Sequence, residues 1–106
     1  LYFALKESLN VPTAKIAQSA GLDKLIELGR TVGFTSKIDN SPASSLGSSV
    51  HFPIEVIDAY RLLANYGQFS ESSFIEKIID SEKKVIFEHT PRFVERLPQD
   101  LTSVLV

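Results

Sequence analysis

The sequence predicts a mainly α fold with one short β-hairpin, and three observations predict it. Apolar residues recur at helical spacing in three stretches, each followed by a glycine, at Gly21, Gly33 and Gly67. Two β-prone runs, residues 74–79 and 85–87, flank the polar segment Asp80-Ser81-Glu82-Lys83-Lys84. The chain has 106 residues, of which 43% are hydrophobic and 23% charged, enough for one modest core.

Asn10 stands where the first helix begins, as a cap for its orphan N–H groups, and Pro12 is tolerated in the opening turn. Val11, Ala14, Ile16, Ala17 and Ala20 follow at mostly helical spacing until Gly21. Asp23 opens a second helix, where a carboxylate complements the N-terminal dipole. Leu22, Leu25, Ile26, Gly29 and Val32 form its apolar stripe, and Gly33 is its stop. Gly29 inside that stripe costs about 1 kcal/mol against alanine, which points to a close helix approach. Residues 34–52 lose periodicity and are rich in serine. Phe34, Ile38, Leu46, Val50 and Phe52 are the apolar residues available to pack this loop down. Pro53 opens a third helix with Ile54, Ile57, Tyr60, Arg61 and Ala64 on one face. Val56, Ala59 and Leu63 widen that stripe towards all-round burial. The β-prone runs make the hairpin, Pro91 and Pro98 bracket a connector, and Leu101, Val104 and Leu105 begin a last amphipathic helix. The expected organisation is helical over 1–67, hairpin over 68–90, and connector with a truncated helix over 91–106.

Composition removes several classes of function. With no cysteine there is no disulfide scaffold, no Cys-based zinc site and no thiol nucleophile. A formal net charge of −2 gives no basic field for nucleic acid. No apolar run approaches the roughly 20 residues that a membrane helix needs. The chain starts at Leu1 and contains no methionine, so it is expected to be a processed or excised piece.

Few residue clusters suggest chemistry. His51 and His89, each beside a phenylalanine, lack further ligands at metal-site spacing and read as boundary or surface histidines. The serines of 41–49 lack the Gly density and the lysine of a phosphate loop. Ser81-Glu82-Lys83-Lys84 spells S-x-x-K, but it falls in the hairpin turn, where its lysine is solvated and a poor base. Ser8-Leu9-Asn10 spells S-x-N, which alone reads as a helix cap.

The surroundings of that S-x-N carry a resemblance. Glu7-Ser8-Leu9-Asn10-Val11-Pro12-Thr13-Ala14, then Ile16-Ala17, resembles the region around the second active-site motif of class A penicillin-binding proteins. Gly21-Leu22-Asp23-Lys24-Leu25, Val32-Gly33 and Ser45-Leu46-Gly47-Ser48 continue it. Pro53-Ile54-Glu55-Val56, Asp58-Ala59-Tyr60 and Leu63-Ala64-Asn65-Tyr66-Gly67 are similar to a helix of the same family, with Tyr66 where a glycine is common. The resemblance is strongest from about Leu5 to Gly67 and fades after His89.

The resemblance implies the central, helical-lobe part of a transpeptidase domain, a fragment of the α+β β-lactamase/transpeptidase-like fold. It implies a parent that cross-links peptidoglycan outside the cytoplasmic membrane by serine acyl transfer. Stem peptides and β-lactams would be its ligands, with no cofactor and no metal. Ser8 would be the proton-relay hydroxyl and Asn10 the positioning amide. No lysine is followed by Ser or Thr, so K-S/T-G is absent, and the single S-x-x-K lies on the wrong side of Ser8. The isolated chain is therefore expected to be inactive. The alternatives are a non-catalytic helical interaction module, in which Asn10 only caps a helix, and a degenerate homologue that kept the lobe for binding. Truncation leads to one more expectation: Phe74, Ile78 and Phe87, or the tail around Leu101 and Leu105, form an apolar patch that a second copy covers.

Overall fold

The computed structural model describes residues 1–105. Val106, the last residue of the expected 91–106 segment, lies outside the described residues. The chain is mostly helical, with two small antiparallel sheets. It divides into two compact units, Leu1–Val56 and Ile57–Val106.

The first unit holds α1 (Tyr2–Lys6), α2 (Asn10–Ala20), α3 (Leu22–Val32), a 3₁₀ turn at Pro42–Leu46 and the start of α4 (Pro53–Ala64). α2 packs against α1, α3 and the 3₁₀ turn. Leu22, Leu25, Ile26 and Val32 are half-buried along α3, as their spacing requires, and Asp23 lies in its first turn. Gly29 does mark a close approach, but a loop side chain and not a helix makes it. A Cβ there would run into the Cδ1 of Ile38. The 34–52 segment is correspondingly less irregular than its composition suggests. Phe34 and Ile38 are half-buried in it, whereas Val50 and Phe52 are exposed and take no part in the packing.

The second unit holds the rest of α4, β1 (Gln68–Phe69), β2 (Lys77–Ile79), β3 (Val85–Glu88), β4 (Val94–Glu95) and α5 (Gln99–Ser103). β2 and β3 form the expected hairpin, with an irregularity between Ile78 and Ile79. Asp80 builds its turn, the Oδ1 accepting from the N–H groups of Glu82 at 2.9 Å and Lys84 at 2.8 Å. Residues 74–76 stay outside the strand. The expected connector contains a strand: β4 pairs with β1, matching Phe69 with Val94 and Gln68 with Glu95.

Gly67, just before β1, is where the chain leaving β4 comes closest to it. Its carbonyl accepts from the N–H groups of Arg96 at 2.9 Å and Leu97 at 3.3 Å. Its φ is +89°, and a Cβ there would collide with the Leu97 carbonyl. Only glycine fits both conditions.

Two expected apolar faces are corrected. Along α4 the buried positions are Glu55 and Leu62, while Ile57 and Tyr60 are exposed, so the helix is not buried all round. In α5 the buried residue is Thr102, which folds its hydroxyl back onto the carbonyls of Pro98 and Gln99, and Leu101 is exposed. Phe74, Ile78, Phe87 and Leu105 are also exposed.

Candidate functional site

Ser8 and Asn10 lie on the turn between α1 and α2, and both are exposed. α1 ends in a Schellman closure: Leu9 N–H donates to the Ala4 carbonyl at 2.9 Å and Ser8 N–H to that of Leu5 at 3.2 Å. This closure needs a left-handed residue, and Ser8 supplies it at φ +52°. α3 and the 3₁₀ turn end in the same bond pattern with glycine in that place, at Gly33 and Gly47, and α4 ends in it with Tyr66, at φ +51°. A non-glycine residue there costs about 1–2 kcal/mol.

The closure also decides what Asn10 does. Leu9 leaves it extended, at φ −79° and ψ 114°, and occupies the N-cap position of α2 without a side-chain cap bond. Asn10 is therefore the first helical residue and not the cap that its residue type suggests. The Leu9 carbonyl accepts from Thr13 instead, at 2.6 Å from its Oγ1 and 3.3 Å from its N–H. The Ser8 hydroxyl and the Asn10 amide make no hydrogen bond among the described residues, so both are presented to whatever docks on this turn.

A second constellation centres on the buried carboxylate of Glu55. Its Oε1 accepts from the Thr35 N–H at 2.8 Å, the Thr35 hydroxyl at 2.5 Å and the Ser36 N–H at 3.2 Å. Its Oε2 accepts from the Ser36 hydroxyl at 2.6 Å and the Phe52 N–H at 3.3 Å. The hydroxyl of Ser36, then that of Thr35, holds the carboxyl down from 4.5 to about 2. The backbone N–H groups add to this, and burial opposes it. On the far side of the carboxylate's partners, Arg30 Nη1 donates to the carbonyls of Phe34 at 2.8 Å and Ser36 at 2.7 Å. The 34–36 segment is pinned by its donors and its acceptors at once.

His51 completes the cluster. Its Nδ1 lies 2.6 Å from the Ser36 hydroxyl and 3.9 Å from Glu55 Oε2, and its ring packs on Phe34 at 4.4 Å. Ser36 has one proton, which it donates to the carboxylate, so the facing imidazole nitrogen is a donor to Ser36. A nucleophilic serine needs the reverse, a base that accepts its proton. The Ser36–His51–Glu55 group is therefore a clamp on the start of α4 and not an acyl-transfer triad. The Phe52 bond is the acidic half of a capping box, with Glu55 three residues after the cap. That spacing was visible in the sequence, but the loop partners Thr35 and Ser36, some twenty residues away, were not. Among the described residues no group of three His, Asp or Glu could hold a metal ion.

No family model matches the chain. Individual relatives do. Penicillin-binding protein 1B of Haemophilus influenzae is 34% identical over 98 residues, 92% of this chain and 12% of the relative. Penicillin-binding protein 1A of Aquifex aeolicus is 31% identical over 109 aligned residues, 100% of this chain and 14% of the relative. Penicillin-binding protein 2a of Streptococcus pneumoniae is 35% identical over 91 residues, 84% of this chain and 12% of the relative.

This stretch of chain belongs to the penicillin-binding protein family. It spans 12–14% of the length of the curated relatives it matches. Within this penicillin-binding protein segment, S-x-N stands on a strained, exposed turn at the head of α2. The other serine motif does not share that setting. Ser81 and Lys84 sit in the β2–β3 turn, with Lys83 at φ +64° between them, and no helix places the lysine one turn from the serine. Among the described residues no helix is long and apolar enough to cross a membrane.

Proposed function

We propose that the chain is the central, mainly helical part of the transpeptidase domain of a class A penicillin-binding protein, within a β-lactamase/transpeptidase-like fold. The parent cross-links peptidoglycan by serine acyl transfer outside the cytoplasmic membrane and is acylated by β-lactams. Ser8 is the proton-relay hydroxyl, and Asn10 is the amide that holds the nucleophile's lysine and the substrate amide. S-x-x-K and K-S/T-G come from parts of the parent beyond this chain.

One observation carries this reading. Ser8 occupies a left-handed helix end, where glycine serves in two other closures and Tyr66 in a third, and its hydroxyl makes no hydrogen bond in the turn. Strain kept at an exposed polar residue suggests that the side chain is needed for something other than folding. An asparagine two residues later can donate and accept at once, as a positioning group must. The test is incubation of the isolated chain and of the full-length parent with a fluorescent penicillin. The parent should form a covalent, heat-stable adduct and the chain none. An adduct on the chain would overturn the assignment and return attention to Ser81.

A further inference from the structure

We propose that residues 37–50 form a strap, fastened at the Ser36–His51–Glu55 cluster, that opens as one unit and, when closed, braces α2. This inference does not rest on the acyl-transfer reading. Both ends of the segment meet at one carboxylate. Glu55 accepts from Thr35 and Ser36 on the incoming side and from the Phe52 N–H on the outgoing side. Ser36 and His51, fifteen residues apart, also meet directly, Oγ to Nδ1 at 2.6 Å. A surface segment whose ends meet and whose own side chains pack it is an Ω-loop.

Serines hold the interior of the strap. Ser44 Oγ donates to the Asp39 carbonyl at 2.5 Å, and Ser49 Oγ accepts from the Asp39 N–H at 3.1 Å. Ser45 Oγ donates to the Pro42 carbonyl at 2.7 Å. Its hold on the helices is shallow by comparison. Ile38 fills the notch at Gly29, Asn40 Nδ2 donates to Asp23 Oδ1 at 3.2 Å, and the 3₁₀ turn lies on α2. No residue of 37–50 is buried, and none of α2 is buried either. A segment bonded within itself and at its ends, over a lightly covered contact, opens as a single unit of low stability. On opening, α2 loses the 3₁₀ turn as a neighbour.

The test is native-state hydrogen exchange of the full chain, followed by NMR at rising, sub-denaturing urea. The N–H groups of Asp39, Ser44, Gly47 and Ser48 should share one urea slope, because one opening exposes them all. Ser36→Ala removes the hydroxyl shared by Glu55 and His51. It should lower protection at all four by a similar factor, at least about fivefold. Gly29→Ala favours the α3 helix but displaces Ile38. It should lower the same four together, while Ile26 in α3 keeps or gains protection. Ile16 and Ala17 in α2 should lose protection in both variants. Separate urea slopes in the unaltered chain would overturn the single unit, as would losses confined to the amides beside each substitution, or no loss in either variant. Unchanged protection across α2 in both variants would overturn the bracing.

Discussion

In the proposed role, Ser8 sets stability against function at a single residue. Its left-handed backbone costs about 1–2 kcal/mol that glycine would not. Ser8→Gly should therefore raise the melting temperature of the chain by several degrees, offset in part by the greater freedom of an unfolded glycine. The same change in the parent should slow acylation. A variant that is both less stable and equally reactive would contradict the account. Glu55 governs the acid limb. Its folded carboxyl binds protons less readily than an unfolded one, so its contribution is complete above the ordinary carboxylate range. That contribution is lost as pH falls from about 4.5 to about 2. In acid titrations followed by circular dichroism, Glu55→Gln should be less stable at neutral pH and lose less on descending through that window. The S-x-N motif of Ser8 and Asn10 was legible as sequence. The strain at Ser8 was not, because φ depends on how the previous helix ends.

Helix ends organise the elements. The glycines at 21 and 33 were readable as stops, because a left-handed or extended exit favours glycine, whereas at the end of α4 Tyr66 takes the left-handed place and Gly67 follows it. Gly67 has a second duty that no local signal announces. It lies against the Leu97 carbonyl, thirty residues further along the chain. Gly67→Ala adds strain at φ +89° to that collision and should destabilise the chain by more than about 2 kcal/mol, as measured by denaturant melts. A cost under about 0.5 kcal/mol would show that Leu97 does not lie against Gly67 as described. β4 itself was missed because it and β1 are two residues each, too short for alternation to register. α1 was missed for a similar reason: it has five residues, and only Ala4 is buried. The α4 face was misread because the apolar spacing competed with a buried carboxylate, and the hydrogen bonds to Glu55 decided which side turned inward.

For the molecule as a whole, the apolar side chains outnumber the places that bury them. Phe74 is 90% exposed, and Leu101 and Leu105 are exposed on the tail, while the buried apolar side chains are Ala4, Leu62 and Phe69 among the described residues. Sedimentation equilibrium of the isolated chain should accordingly show a mass that rises above 11.7 kDa with concentration, and a strict monomer would count against self-association through these faces. The family was legible in the sequence because its residues cluster around S-x-N and α4. The way two compact units divide the chain within α4 was not, since apolar periodicity runs unbroken across Val56 and Ile57. The central claim is that Ser8 and Asn10 work on an acyl transfer whose nucleophile lies elsewhere in the parent. The most direct measurement is the acylation rate of the full-length parent by a fluorescent penicillin, with Ser8→Ala and Asn10→Ala compared at equal folded concentration. The account predicts a fall of about 10²-fold or more in each, with melting temperatures unchanged or raised. Unaltered rates in both variants would contradict it.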